Sequence, residues 1–382
     1  MSESDRRIRT THIGSLPRTE AMLELLERRQ SGESVDEGRW AATVTEATET
    51  AVRRQRDAGL DIINNGEQPR VSFNWYIENR LSGIEGEREA HMWADLAEFP
   101  EYAEQSFTTE VIDLTTQPAV TGAVEHTGTD ALEEEIEAFE AALDDDVAAA
   151  DTFLTAASPG VVAATHENEY YDSYEEYLFA VADAMATEYE RIAETGATLQ
   201  LDAPELLAIG HRNFVDQPLT EFKEAMATHV EAINEAVSSI PAEQIRLHTC
   251  WGSYEGPHHL DTDLVEMLPT LYEADISGLS VEQANPRHQH EYRAFAEQPL
   301  PDGWTLIPGV VDVKTNIIDH PETIADRIER VAEAMGEPSR LVAAPDCGFD
   351  TQAGLEMVDP EIAWAKLDAL GEGAAVASDR LF

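Results

Sequence analysis

Short apolar segments of the β type alternate with longer amphipathic segments of the helical type along most of the chain. The eight strand candidates are residues 8–15, 60–67, 152–160, 198–204, 245–250, 278–282, 304–310 and 340–348. Since parallel strands need a crossover connection, usually a helix, this alternation favours a parallel sheet. Eight such units predict an α/β fold of the (β/α)8 TIM-barrel type, and a doubly wound sheet is the alternative.

The last two helical segments carry start and stop residues. Residues 320–338 place Pro321 at the first helical position and Gly336 at the end, with apolar residues on one face between them. The segment that begins at Asp359 repeats this pattern up to Gly371. We expect the glycine-containing residues 371–376 to form a flexible turn rather than a nucleotide-binding loop.

One long region departs from this rhythm. Residues 83–150 contain a ninth strand candidate, 119–124, and an acidic helical segment, 130–150. No composition shift or linker marks a boundary. We therefore expect one domain, residues 1–382, with residues 83–150 as an insertion after the second βα unit.

The chain is strongly acidic, with a formal net charge of −51 and only three lysines. Phosphate backbones would be repelled, so nucleic acid is excluded as a partner. The acidic residues are spread over periodic segments, and hydrophobic residues make up 42 %, which indicates a folded chain. Such a surface is typical of halophilic proteins, in which molar salt screens charge over about 3 Å.

The expected location is the cytoplasm. The N-terminal residues 1–10 lack the apolar stretch of a secretory signal, and no segment approaches the roughly 18 apolar residues of a membrane span. Two cysteines are too few for a disulfide framework, and we expect both to be free thiols.

His248 and Cys250 lie two positions apart at the end of a strand candidate, so their side chains project to the same side. Taken alone, this pair is explained more simply as two ordinary buried side chains. However, Cys347 and Glu282 also follow apolar strands, and strand ends converge at a barrel mouth. Two thiols, an imidazole and a carboxylate suit Zn²⁺, and ligands so widely dispersed along the chain favour a catalytic over a structural ion.

These motifs resemble the catalytic C-terminal barrel of the cobalamin-independent methionine synthases and their shorter single-barrel relatives, within the superfamily that includes uroporphyrinogen decarboxylase. The matching segments are 10–19, 59–67, 199–204, 247–252, 279–282, 308–315 and 344–351. The resemblance implies that His248, Cys250, Glu282 and Cys347 bind zinc. It also implies transfer of a methyl group from a methyltetrahydrofolate-type donor to the thiolate of homocysteine, giving methionine.

The resemblance further implies a binding site for the amino acid. Ile13, Gly14 and Ser15 would hold its carboxylate, and Glu67 and Asp202 would hold its ammonium group. Hydrogen-bond donors of a Gly-Ser loop suit an anion, and two carboxylates at strand ends suit a cation. The alternative for Glu67 is an ordinary surface carboxylate.

The chain departs from the family pattern where the general acid is expected. The D-I-H-S-P segment of the methionine synthases is replaced by residues 312–316, Asp-Val-Lys-Thr-Asn, and their D-E-P segment reads Asp-Ala-Pro from Asp202. Candidate catalytic residues are therefore Asp312, His12 and His259, the last beside His258. Each histidine is equally explained as a merely solvated side chain.

The donor site has two candidate residues. Trp251 follows Cys250 and would line a donor pocket or pack the barrel mouth, and Arg287 lies in a segment of Arg and His that suits an anionic donor tail. A methylated corrinoid protein is the alternative donor. Two other functions remain open: thiol alkylation of the epoxyalkane:coenzyme M transferase type, which this chain also resembles, and a structural or thiol-sensing zinc site.

Overall fold

The computed structural model describes residues 7–89, 93–106, 116–144, 146–208, 214, 216–355 and 357–382. The described strands are β1 Arg9–Thr10, β2 Ile84–Glu89, β3 Thr116–Val120, β4 Phe153–Ala157, β5 Glu167–Asn168, β6 Thr198–Asp202, β7 Ile245–Thr249, β8 Gly278–Val281, β9 Thr305–Val311 and β10 Val342–Pro345. The described α-helices are α1 Glu20–Gln30, α2 Glu37–Asp57, α3 Ala94–Ala97, α4 Pro100–Ser106, α5 Thr129–Ala142, α6 Pro159–Thr165, α7 Tyr174–Glu194, α8 Glu205–Ala208, α9 Leu219–Ala236, α10 Leu264–Leu271, α11 Ala294–Glu297, α12 Pro321–Met335 and α13 Pro360–Leu381.

Seven strands form a curled parallel sheet in the order β1-β10-β9-β8-β7-β6-β4. The strands follow one another in chain order around the sheet, without the reversal that defines a doubly wound sheet. The predicted α/β class with a parallel sheet of the TIM-barrel type is therefore confirmed, and the doubly wound alternative is wrong.

The second strand candidate, residues 60–67, bridges the two edges of this sheet. The backbone nitrogen of Ile62 donates to the carbonyl oxygen of Thr10, the last residue of β1, at 3.1 Å. The backbone nitrogen of Phe153, at the start of β4, donates to the carbonyl oxygen of Ile63 at 3.0 Å. Backbone hydrogen bonds thus continue from one edge strand to the other.

The region 83–150 supplies β2 and β3 of a second, smaller sheet, in which β3 pairs with β2 antiparallel and with β5, outside this region, in parallel. The strand predicted at 119–124 overlaps β3 only at Ala119 and Val120. The acidic helical segment forms α5, which ends at Ala142 and packs against α2 and α7. Residues 90–92, 107–115 and 145 of this region lie outside the described residues.

The helix predicted after His320 is confirmed: α12 starts with Pro321 and ends at Gly336, whose φ is +75°. The turn predicted at residues 371–376 is wrong, because α13 runs through it. Its glycines allow close helix packing. A Cβ on Gly373 would lie 2.6 Å from the Cβ of Ile324, and one on Gly371 would lie 2.7 Å from the carbonyl oxygen of Ala58.

The core lies between the sheet and its surrounding helices. Every residue of β4, β7 and β8 is buried, as expected of parallel strands covered on both faces. Within the described residues, no helix is both long enough and apolar enough to pass through a bilayer.

Candidate functional site

Three of the predicted metal ligands meet at the carboxyl ends of the strands. His248 lies near the end of β7, Cys250 follows that strand, and Cys347 follows β10. All three side chains are buried, and their ligand atoms lie within 4.8 Å of one another. One imidazole and two thiols are the ligand types that zinc prefers over hard cations such as Mg²⁺. The residues present therefore fit a zinc ion.

The two thiols of this group differ in acidity. The hydrogen bond with Cys347 and the adjacent His248 lower the pKa of Cys250 to about 6. Burial and the neighbouring Cys250 raise the pKa of the Cys347 thiol above its ordinary value. The lowered pKa favours the thiolate of Cys250, the form of cysteine that binds metals.

Glu282, the fourth predicted ligand, stands beside this group and outside it. Its Oε1 accepts hydrogen bonds from the backbone nitrogen of Trp251 at 3.1 Å and from the Sγ of Cys347 at 3.6 Å. Its Oε2 accepts from Asn285 Nδ2 at 2.7 Å and from Lys314 Nζ at 2.8 Å. Burial alone would raise the pKa of Glu282, but the charge of Lys314 and the nearby histidines outweigh it, so this pKa is lowered.

Asp346 fixes the loop that follows Glu282. Its Oδ1 accepts hydrogen bonds from the backbone nitrogens of Gln283 and Ala284, both at 2.8 Å. Its Oδ2 accepts from the backbone nitrogen of Asn285 at 2.9 Å and from Asn285 Nδ2 at 3.0 Å. Sequence reasoning missed Asp346, although a carboxylate directly before Cys347 at the end of an apolar strand was visible.

The loop of Ile13, Gly14 and Ser15 lies against the residues that follow Cys347. The backbone nitrogen of Phe349 donates to the carbonyl oxygen of Ser15 at 3.0 Å, and a Cβ on Gly348 would lie 2.0 Å from Ser15 Oγ. Gly14 has a φ of +123°, and a Cβ there would lie 2.3 Å from Glu67 Oε1. Only glycine fits at position 14, because the backbone conformation and the space both exclude a side chain.

Glu67 and Asp202 are buried carboxyl groups at the same end of the sheet. Glu67 Oε1 accepts a hydrogen bond from Thr155 Oγ1 at 2.9 Å, and its Oε2 has no hydrogen-bond partner among the described residues. Burial raises the pKa of Glu67, and burial together with the charge of Glu67 raises the pKa of Asp202 to about 7. A ligand ammonium group would satisfy the unpaired oxygen and offset the cost of burying these carboxylates.

His12, a candidate acid in the sequence, has a hydrogen-bond partner at each ring nitrogen. Its Nε2 lies 2.7 Å from Gln55 Oε1, and its Nδ1 lies 3.3 Å from the backbone nitrogen of Gly14, which donates to it. Burial, assisted by the charge of Arg246, lowers the pKa of His12 to about 3. His12 is therefore uncharged and shapes the loop that contains Gly14.

The other predicted catalytic residues have local partners. His259 is exposed, and its Nε2 lies 3.1 Å from Glu98 Oε2. Asp312 is buried and orders its own loop: it accepts hydrogen bonds from the backbone nitrogen of Lys314 at 3.0 Å and from Thr315 Oγ1 at 2.7 Å. Both residues therefore have partners within the protein.

The two predicted donor-site residues are tied to a buried network. Trp251 is fully buried and stacks on His288 with ring centroids 3.8 Å apart. Arg287 donates to the carbonyl oxygen of Asp261 at 3.2 Å. Trp251 therefore packs within the protein next to Cys250.

The network itself was missed by sequence reasoning. Asp261 Oδ2 lies 2.9 Å from His258 Nδ1 and 2.8 Å from His288 Nε2, so that one carboxylate orients two buried imidazoles. His258 Nε2 in turn lies 3.3 Å from Lys314 Nζ. Lys314 connects the network to Glu282, and Glu282 in turn contacts Cys347.

Comparison with known proteins yields similar sequences over nearly the whole chain. A methionine synthase of Thermococcus kodakarensis is 26 % identical over 96 % of this chain and 92 % of its own. A methionine synthase of Sulfurisphaera tokodaii is 23 % identical over 97 % of this chain and 93 % of its own.

Solved structures share the fold. The B12-independent methionine synthase of Shewanella sp. W3-18-1, in complex with selenomethionine, aligns with a TM-score of 0.72 and 18 % identity over 98 % of this chain and 99 % of its own. The putative enzyme of that type from Listeria monocytogenes aligns with a TM-score of 0.66 and 23 % identity over the same shares. The family model of the catalytic domain of cobalamin-independent synthases matches residues 8–99 and 155–363. This chain therefore belongs to the cobalamin-independent methionine synthase family.

Proposed function

We propose that this protein transfers a methyl group to the thiolate of homocysteine, giving methionine, and that the reaction depends on zinc. The observation that carries the proposal is the position of His248, Cys250 and Cys347 next to a buried pair of acids, Glu67 and Asp202. The candidate ligands for a metal-bound thiol thus lie next to acids that suit an ammonium group, and a small amino thiol carries both of these groups.

The metal would be held by His248, Cys250 and Cys347, with Glu282 as the further predicted ligand. A bound zinc ion lowers the pKa of a coordinating thiol, so that the sulfur is a nucleophilic thiolate at neutral pH. Because the three residues are buried, water is largely excluded around the reacting sulfur.

The chain's own residues would orient the amino acid. Glu67 and Asp202 accept hydrogen bonds from its ammonium group, and the backbone of Ile13 and Gly14 with the hydroxyl of Ser15 binds its carboxylate. Holding both ends of the amino acid fixes the direction of the sulfur toward the donor. Such positioning contributes much of the rate in reactions between two substrates.

The proposed donor is a methyltetrahydrofolate-type compound, with a methylated corrinoid protein as the alternative. Trp251 and Arg287 remain the proposed contacts of the donor, and the general acid is drawn from Asp312 and His259. The alkylation of coenzyme M is disfavoured, because Glu67 and Asp202 would repel the sulfonate of that thiol.

We also propose that residues 83–150 are an insertion within one domain of residues 1–382. The acidic surface supports a salt-rich cytoplasm as the setting, because concentrated salt screens repulsion between exposed carboxylates.

The test is methyl transfer by the zinc-loaded protein in concentrated KCl. Homocysteine is incubated with methyl-labelled methyltetrahydrofolate or with methylcobalamin as the simplest corrinoid, and labelled methionine is measured. Transfer that a chelator abolishes and added zinc restores is the expected result, and the two arms identify the donor. If neither donor gives methionine while zinc is bound and homocysteine is present, the proposed function is wrong.

A further inference from the structure

Glu67 has a backbone conformation that residues with a side chain rarely adopt. Its φ is +54°, and it follows Gly66, whose φ is +68°. In this left-handed region the Cβ atom lies too close to the following carbonyl oxygen, so a glutamate remains there only when surrounding contacts hold it. The contacts of Glu67 therefore determine where its carboxylate lies.

One chain of contacts connects the backbone of Glu67 to α5. The backbone nitrogen of Glu67 donates to Asn65 Oδ1 at 2.9 Å. The Nδ2 of Asn65 donates to Oε1 of Glu135, a residue of α5, at 2.7 Å. Asn65 and Glu135 are both buried. The side-chain amide of Asn65 thus joins the strained residue to a carboxylate that is distant in sequence.

A second chain of contacts connects Glu135 to the carboxylate of Glu67. Arg70 Nε donates to Glu135 Oε2 at 3.2 Å, and Arg70 Nη1 donates to Thr155 Oγ1 at 3.0 Å. Thr155 Oγ1 in turn donates to Glu67 Oε1 at 2.9 Å. All of these side chains are buried. Both the backbone and the carboxylate of Glu67 are therefore connected to Glu135.

Glu135 is itself held by a second guanidinium group. Its Oε2 accepts a hydrogen bond from Arg80 Nη2 at 2.8 Å, and Arg80 Nε lies 3.2 Å from Oε2 of Glu188, on α7. Buried charges of this kind persist only when they are paired. Two buried arginines, Arg70 and Arg80, thus face two buried glutamates, and Glu135 has a defined position relative to Glu67.

We propose that Glu135 is a positioning residue, which holds the carboxylate of Glu67 where it accepts the ammonium group of the bound amino acid. The connection runs through Asn65 and Arg70. This inference rests on the proposed function, in which Glu67 binds that group, and it assigns part of the substrate site to α5. It is supported by Oε2 of Glu67, a buried oxygen that has no hydrogen-bond partner among the described residues and suits a donor of the ligand.

The experiment measures binding of homocysteine and of butanethiol to the zinc-loaded protein by calorimetric titration. Glu135→Asp keeps the charge that faces the two arginines but withdraws the oxygens by one methylene group, and Glu135→Gln keeps the length but removes the charge. Glu133→Asp and Glu133→Gln are the matched controls, because Glu133 lies on the same helix and pairs with Arg191 at 2.8 Å. Glu67→Gln is measured alone and combined with Glu135→Asp.

We expect both changes at Glu135 to raise the homocysteine Kd about tenfold, because Glu67 is then misplaced for the ammonium group, and to leave the butanethiol Kd within about twofold of the wild type. Both changes at Glu133 should leave both Kd values within about twofold. In a protein that already has Glu67→Gln, adding Glu135→Asp should raise the homocysteine Kd by less than about twofold, because Glu135 acts through Glu67.

Three results would overturn the inference alone. They are a Glu135→Asp variant that binds homocysteine like the wild type, an equal loss of homocysteine and butanethiol binding, and a full tenfold loss from Glu135→Asp in the Glu67→Gln protein. If Glu135→Gln does not fold, Glu135→Asp decides, since it keeps the buried charge. A wild-type protein that binds zinc and butanethiol but not homocysteine would contradict the proposed function as well, and this result is recognised without any variant.

Discussion

Asp202 and His248 are register partners on the adjacent parallel strands β6 and β7, and the backbone nitrogen of Ala203 donates to the carbonyl oxygen of His248 at 2.8 Å. The proposed ammonium-binding carboxylate is therefore fixed relative to the imidazole of the metal-binding group. This spacing is set by the sheet and not by a flexible loop.

Replacing Asp202 should weaken homocysteine binding more than it weakens binding of a plain thiol. A charge-assisted hydrogen bond contributes about 1.5–3 kcal/mol, so Asp202→Asn should raise the Kd of homocysteine about 10- to 100-fold. Calorimetric titration of the zinc protein at pH 8, where Asp202 is ionised, measures this. Butanethiol, which lacks the amino and carboxyl groups, should bind both proteins equally. An equal loss for both thiols would contradict the assigned role.

Removing the Cys347 thiol should remove the metal. Because Cys347 supplies one of the two thiols of the proposed site, the zinc Kd of Cys347→Ser should rise by more than about 100-fold. Competition with a chromophoric chelator measures the affinity. His259→Gln, a change at an exposed histidine outside the group, should bind zinc like the wild type. Full zinc binding by Cys347→Ser would show that the three residues do not form the site.

Stability should fall in acid partly through His166. Burial lowers the pKa of His166 to about 4 from an ordinary value of 6.5. Below pH 6.5 the unfolded chain binds a proton at His166 that the folded chain does not bind. The free energy of unfolding therefore decreases as the pH falls from about 6.5 to about 4. The full loss is about 3 kcal/mol, since each pKa unit corresponds to about 1.4 kcal/mol.

Denaturant unfolding of the wild type and His166→Gln at several pH values between 4 and 8 tests this. Glutamine keeps a donor for the carbonyl oxygen of Val162, which lies 3.0 Å from His166 Nδ1, but does not titrate. The pH curve of His166→Gln should be flatter, and that of His259→Gln should follow the wild type. Parallel curves for all three proteins would refute the role of His166.

Salt should stabilise the protein well beyond an osmotic effect. With a formal net charge of −51, repulsion between exposed carboxylates opposes folding until salt shortens the screening length from about 10 Å at 0.1 M to about 3 Å at 1 M. We expect the melting temperature to rise by on the order of 10 °C between 0.1 and 2 M KCl. Sucrose at equal osmolality should raise it much less, and an equal rise in both solutes would contradict the electrostatic explanation.

Much of the fold and part of the site were predictable because they depend on local patterns. Alternation along a strand placed His248 and Cys250 on one side, and the position of Cys347 after an apolar strand placed it at the same edge. Proline and glycine likewise marked both ends of α12. In each case the deciding residues are neighbours in sequence.

The remainder depends on contacts between distant segments. The partner of Glu282 is Lys314, and the acceptor for the backbone nitrogens after Glu282 is Asp346; neither pairing can be inferred without the order and register of the strands. The same limit explains the wrong turn at Gly371 and Gly373. Within α13 these glycines follow from the close approach of Ala58 and Ile324, which are far away in the chain.

Asp346, directly before Cys347, connects the ends of β10 and β8, which are separated in the sheet by β9. One peptide unit separates Cys347 from Asp346. The carboxylate of Asp346 accepts hydrogen bonds from three consecutive backbone nitrogens beyond β8. Glu282 lies directly before those three residues, so Glu282 and Cys347 are linked through the carboxylate of Asp346. The ends of two strands that do not pair with each other are thereby cross-linked by a single buried carboxylate.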